Sequence, residues 1–229
     1  MKLVFTGIGA AYYPQLGSNC AFFVHNNHLF LIDCGESTFG KMAARKEIYD
    51  YERITILLTH LHMDHIGSLG SFLSFCKNIL KKKVRVIAEE DTIVHILSMC
   101  GIPSESYEFT TNFQECEKDG LFITPYRAVH VTDMLCCGFT LSDGTNTIFF
   151  SGDTSVLSHE ILEQFLSGKI QIMYHECSFL EQDSPSHTSL EKLKQWIPEQ
   201  ARNRVYCMHF GGDYKEAVKA CGFQIPNVV

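Results

Sequence analysis

No Cys-x-x-Cys pair occurs in the 229 residues, although ten cysteines are present. That spacing excludes a zinc-finger arrangement, and adjacent Cys136 and Cys137 are too close for an unstrained mutual bridge. Several cysteines stand in apolar runs such as Asn19-Cys20-Ala21-Phe22 and Val205-Tyr206-Cys207-Met208, where a reduced thiol acts as a small hydrophobe. Positive charge is scarce as well: 19 Lys and Arg stand against 26 Asp and Glu, a net charge of −7. Phosphate-backbone binding relies on clustered cations, so a large nucleic-acid surface is disfavoured. The one basic run, Lys81-Lys82-Lys83, reads as a solvated helix end. No apolar run is long enough to span a bilayer. The opening Met1-Lys2-Leu3-Val4-Phe5 breaks at Thr6-Gly7 without signal-peptide architecture. Gly7 and Gly9 lack the third glycine of a phosphate-binding fingerprint and read as backbone permissiveness. Internal repeats, low-complexity tracts and Pro/Ser-rich linkers are all missing. These absences leave one mixed α and β domain over residues 1–229, expected in a reduced cytoplasm and away from membranes.

What is present is concentrated. His60-Leu61-His62-Met63-Asp64-His65 puts three imidazoles and a carboxylate into six residues. It follows Ile54-Thr55-Ile56-Leu57-Leu58-Thr59, a β-branched apolar run that reads as a buried strand. It precedes a helical periodicity through Phe72, Leu73, Phe75, Cys76, Ile79 and Leu80. A loop pinned between strand and helix gives the rigidity that a metal site needs. Imidazole nitrogen and carboxylate oxygen are the donors expected for zinc. In an extended loop His60 and His62 point to one side, whereas adjacent Asp64 and His65 cannot both share that side. The spacing therefore suggests two ligand sets.

Other chemistry-bearing residues also follow strand-like runs. Asp33 leaves Leu29–Ile32 into Cys34-Gly35-Glu36 and is expected either to orient a metal-bound histidine or to serve as a plain turn or cap residue. His130 follows Tyr126–Val129, Asp153 follows Thr147–Phe150, and His209 follows Val205–Met208. His25 and His28 flank an Asn26-Asn27 hairpin turn and read as solvated turn residues. His95 reads as a structural residue on a helix opened by Asp91. Asp143-Gly144 marks a second hairpin, and His187-Thr188-Ser189 opens a helix stopped by Pro198. Tyr12 and Tyr13 read as ordinary aromatics, with stacking on a base as the alternative.

The ordered set His60, His62, Asp64, His65, then His130, Asp153 and His209 resembles the metallo-β-lactamase superfamily, which carries HxHxDH followed by separate His, Asp and His motifs. The resemblance implies an α/β (α+β) fold, the αββα sandwich, with metals at one edge of its two sheets. True β-lactamases usually place Cys where this chain has Asp153. Glyoxalase-type members favour Pro-Gly-His-Thr where this chain reads Ala128-Val129-His130-Val131, and flavodiiron members carry Glu in place of His62. The chain is most similar to the ribonuclease Z-like branch, through Thr6-Gly7-Ile8-Gly9, Ile32-Asp33-Cys34-Gly35-Glu36, Gly138-Phe139, Ser151-Gly152-Asp153-Thr154, His175-Glu176 and His187-Thr188-Ser189.

Carried over residue by residue, the resemblance implies that His60, His62 and His130 hold one Zn2+. Asp64, His65 and His209 hold the other, Asp153 bridges, and Mn2+ is the alternative ion. It implies a metal-bridged hydroxide oriented by Asp64, and a general acid, His187, supported by Glu176. One feature departs from the branch. Members that process transfer RNA carry a long arm, usually between the third-motif His and the bridging Asp, and here His130 to Asp153 leaves room only for a hairpin. The expected substrate is therefore a small phosphodiester, as in compact cyclic-nucleotide phosphodiesterases of the anti-Pycsar type, with large RNA disfavoured. A tRNA 3′-end endonuclease and a non-catalytic nucleotide-binding protein on the same fold are the alternatives. A homodimer is implied by the resemblance alone.

Overall fold

The computed structural model describes residues 1–182 and 184–229. Its first sheet places β1 (Val4–Gly7), β2 (Cys20–His25), β3 (His28–Ile32), β4 (Arg53–Leu57), β5 (Val84–Ile87) and β6 (Tyr107–Thr110) side by side in chain order. The first two pairings are antiparallel and the next three parallel. The second sheet contains β7 (Phe122–Arg127), β8 (Cys137–Ser142), β9 (Thr147–Phe150), β10 (Ile172–Glu176) and β11 (Val205–Met208), in the order β11-β10-β9-β8-β7. Here β9, β10 and β11 are parallel, while β7–β8 and β8–β9 are antiparallel.

Strand alternation explains why two sheets form and how they stack. In β3, Phe30 and Ile32 join Leu57 of β4 and Ile87 of β5 in packing toward Phe139, Leu141, Ile148 and Phe150 of the second sheet. The intervening Leu29 and Leu31, with Ile54, Ile56, Val84 and Val86, face the opposite way. There they meet α1 (Thr38–Ala43), α3 (Leu69–Phe75) and α4 (Thr92–Met99) through Met42, Leu69, Phe72, Leu73, Ile93 and Leu97. Strands covered on both faces read as near-continuous apolar runs, as Leu29–Ile32 of β3 does, with β4 interrupted by Thr55. Helices α5 (His159–Leu166) and α6 (Leu190–Trp196) add Ile161, Phe165, Leu190 and Leu193 to the first cluster. The result is the αββα sandwich of metallo-β-lactamase-like proteins.

Parallel strands bring their C-terminal ends to one edge of a sheet. Asp33 follows β3, His60 follows β4, Asp153 follows β9 and His209 follows β11, so both sheets deliver donors to the same edge. The backbone joins the sheets there, with Cys137 N–H donating to Thr59 O at 3.0 Å. A four-residue helix, α2 (Met63–Ile66), carries Asp64 and His65. The segment between His130 and Asp153 is a short connection followed by the β8–β9 hairpin, turning at Gly144 with φ 83°.

Several local expectations are corrected. Asn26 and Asn27 do turn the β2–β3 hairpin at φ 49° and 59°, but His28 is only 2% exposed, because its ring packs on Phe30 and bonds Thr55 Oγ1 at 2.8 Å. His25 is also held, with Nε2 3.0 Å from Asp119 O. Asp91 occupies the N-cap of α4 without a capping side-chain bond, and His95 on that helix faces solvent. His187 precedes α6, whose cap is Ser189, with its hydroxyl accepting from Lys192 N. Eight of the ten cysteines are buried and all ten are free thiols. Among the described residues no helix is long and apolar enough to cross a membrane.

Candidate metal centre

The structure brings together all seven strand-end donors. His62 Nδ1 lies 3.0 Å from His60 Nε2 and 3.1 Å from His130 Nε2. A second group forms around Asp64 Oδ2, which is 3.3 Å from His65 Nε2 and 3.2 Å from His209 Nε2. Asp153 stands between the groups. Its Oδ2 is 3.1 Å from His209 Nε2 and 3.4 Å from His65 Nε2, and 3.9 Å from both His60 Nε2 and His130 Nε2.

These spacings suit divalent metal. A tetrahedral zinc with ligands at about 2.0–2.1 Å sets its donor atoms about 3.3–3.4 Å apart. Two buried atoms at the centre, Asp153 Oδ1 and His65 Nε2, have no hydrogen-bond partner among the described residues. Buried polar atoms are costly unless something satisfies them, and a metal would do so here. The donor set fits the group.

Three of the histidines are oriented from behind. His65 Nδ1 lies 2.8 Å from Asp33 Oδ2. Thr59 donates to the same carboxylate through N–H and Oγ1, both at 2.8 Å, and its Oγ1 lies 3.0 Å from His60 Nδ1. His130 Nδ1 donates to Ser186 O at 2.9 Å. With Nδ1 engaged outward, Nε2 is left to face the centre, the arrangement by which proteins fix a ligating imidazole. Of the two expectations for Asp33, orientation of a site histidine is the one the geometry bears out. Asp33 and His209 both hold the left-handed backbone conformation, at φ 66° and 58°, a strain on the order of 1–3 kcal/mol each that the surrounding bonds hold in place.

Electrostatics follows from this crowding. Burial works against an ionised Asp64, yet its bond to His209 and the charge of the neighbouring His65 hold the carboxyl well below the usual range. Asp153 is likewise held low against burial by His209 and His65. Burial lowers the pKa of His60, and the neighbouring His65 lowers it further. His65 goes the other way: burial opposes its proton, but Asp153 and Asp33 raise its pKa well above the ordinary value. Two ionised carboxylates thus create a strong local demand for positive charge.

Beside the donors stands a second constellation. His187 Nδ1 lies 3.1 and 3.2 Å from the two oxygens of Glu176, and its side chain keeps 21% exposure. Burial disfavours the imidazolium, but the bond to Glu176 and its charge raise the pKa of His187. Glu176 is fully buried and also accepts from Thr154 N, Thr188 N and Ser178 Oγ. A ring nitrogen of His187 is within 4.8 Å of donor atoms of His130 and Asp153. His175 points away, its ring against Trp196, because adjacent strand residues face opposite sides. Sequence reading passed over Thr59 and Ser178. Ser178 follows Glu176 by two positions, just past the end of β10, and its hydroxyl meets the Glu176 carboxylate.

Fold and clustered donors together define a protein of the metallo-β-lactamase fold with a site compatible with metal-dependent hydrolysis. The chain belongs to the anti-Pycsar protein Apyc1 family, whose profile matches residues 1–225. It is 27% identical over 246 residues to the anti-Pycsar protein Apyc1 of Bacillus phage 010DV004, covering 97% of this chain and 93% of that one. The counterpart from Bacillus phage BSP38 is 26% identical over 238 residues, covering 92% and 89%. Among solved structures, the metallo-β-lactamase fold protein YhfI from Bacillus subtilis superposes with a TM-score of 0.74 at 14% identity, covering 99% and 95%.

Proposed function

We propose that the chain is a two-metal phosphodiesterase that hydrolyses small cyclic nucleotides, with residues 1–229 acting as one catalytic unit. One observation carries this reading: Asp153 Oδ2 lies within 3.9 Å of nitrogens from both donor groups, in a chain that the Apyc1 family profile spans almost entirely. The relatives are named for acting against Pycsar, and that name, with the short His130–Asp153 hairpin, supports a cyclic nucleotide rather than a large RNA.

His60, His62 and His130 would hold one divalent ion, Asp64, His65 and His209 the other, and Asp153 both. Zn2+ suits these donors, with Mn2+ as the alternative. When bound, such ions supply Lewis acidity that lowers the pKa of water and neutralises phosphate charge. Asp64, held ionised by His209 and His65, takes the proton of the attacking water. His187 donates a proton to the departing ribose oxygen as the P–O bond breaks, and Glu176 keeps that imidazole charged and aimed. Water adds across one phosphodiester bond, and a phosphomonoester leaves. A homodimer is part of the reading, on the resemblance alone.

Turnover of 3′,5′-cyclic mononucleotides in Zn2+ or Mn2+ tests it. The wild-type protein should open the ring and Asp64→Ala should not. Unchanged turnover in Asp64→Ala would contradict the assigned roles.

A further inference from the structure

Ser178 is 2% exposed and lies just beyond β10. Its Oγ is 2.8 Å from Glu176 Oε2, 2.9 Å from His209 Nδ1, 3.0 Å from the His209 carbonyl oxygen and 3.4 Å from His187 Nδ1. A hydroxyl has one proton to give and two lone pairs. A carboxylate can only accept, so the Ser178 proton goes to Glu176 and its lone pair is available to a ring N–H.

The same construction recurs across the site. Asp33 receives His65 Nδ1 directly at 2.8 Å and is connected to His60 Nδ1 through Thr59 Oγ1. Glu176 receives His187 Nδ1 directly at 3.1 Å and is connected to His209 Nδ1 through Ser178 Oγ. One buried carboxylate thus serves two imidazoles on each side, one by contact and one through a hydroxyl. For His209 to present a lone pair at Nε2, its proton must sit on Nδ1, and Ser178 Oγ is the acceptor placed to receive it.

We infer that Ser178 is a positioning residue: it fixes His209 as the Nδ1–H tautomer and thereby sets the metal affinity of the Asp64–His65–His209 group. The inference rests on the two-metal reading.

The test is Zn2+ titration of chelator-stripped protein, alongside 15N imidazole NMR of the zinc-loaded wild type. Wild-type protein should bind two Zn2+, and Ser178→Ala should keep one site while losing roughly 10–100-fold at the other. Ser178→Thr, which keeps the hydroxyl, should recover part of that loss. In wild-type spectra the His209 ring should carry its proton on Nδ1, a readout that needs no variant to fold. Affinities unchanged from wild type in Ser178→Ala, equal weakening of both sites, or a His209 ring without Nδ1–H would overturn the role of Ser178. A wild type that binds no Zn2+ would overturn the metal reading itself and the inference with it.

Discussion

His187 and His175 are chemically the same side chain with opposite fates. His187 is partly exposed, bonded to a buried carboxylate and close to Asp153, and its pKa is raised. His175 is fully buried, its Nδ1 bonded to Glu176 O, and its pKa is lowered mainly by burial. Only the first can carry a proton to a substrate. Removing it should matter in proportion to the leaving group's need for that proton. His187→Ala should lower kcat roughly 10²–10⁴-fold on a cyclic nucleotide. On bis(p-nitrophenyl) phosphate, whose leaving group departs as a stable anion, the loss should stay below about tenfold. Steady-state kinetics on both substrates checks this, and equal losses would assign His187 a structural role. At this scale the candidate donors were conspicuous, because His and Asp stand at or just past strand ends. Thr59 and Ser178 were not, since hydroxyl residues are common everywhere and only distance to His60 or His209 sets these two apart.

Elements position these residues through close backbone contact. After β3 the chain runs against α2: Cys34 N–H donates to His65 O at 2.7 Å, and Ser68 N–H to Cys34 O at 3.1 Å. Gly35 is the point of closest approach, where a Cβ would lie 1.8 Å from Asp64 O and 2.6 Å from Ser18 Cβ. Gly35→Ala must push back the backbone that carries Asp64. It should cost about 1–3 kcal/mol in stability and weaken Zn2+ binding, measurable by thermal unfolding and metal titration. The β2–β3 hairpin shows a different dependence. His28 is buried beside Asp119 and near Arg53, and its pKa is lowered to about 4, first by burial and then by the Arg53 charge. The unfolded chain, with an ordinary histidine pKa of about 6.5, takes up that proton first as pH falls. The contribution is therefore intact above about pH 6.5 and declines toward pH 4. Between pH 7 and 4.5 the Tm of wild type should fall more than that of His28→Gln, and parallel curves would refute this. The hairpin itself was readable from its two asparagines. The burial of His28 was not, because Asp119 and Thr55 reach it from 91 and 27 residues away.

At the scale of the molecule, two sheets meet so that the C-terminal ends of their parallel strands share one edge. Every donor of the candidate site arises there, which is why a run of short strands ending in His or Asp carried so much of the fold. Stacking of the sheets, by contrast, depends on which alternate face of β3 or β4 turns inward, and an unbroken apolar run does not disclose that. The pairing of Glu176 with His187 and Ser178 likewise depends on tertiary approach across the loop before α6. In the proposed function, this edge adds water to the phosphodiester of a small cyclic nucleotide. The most direct measurement is 31P NMR of 3′,5′-cyclic mononucleotides incubated with Zn2+-loaded protein in 18O-enriched water. The expected result is conversion to a linear phosphomonoester bearing one solvent oxygen, lost in Asp64→Ala. Intact cyclic nucleotides at saturating Zn2+ and Mn2+, or cleavage of precursor tRNA in their place, would contradict it.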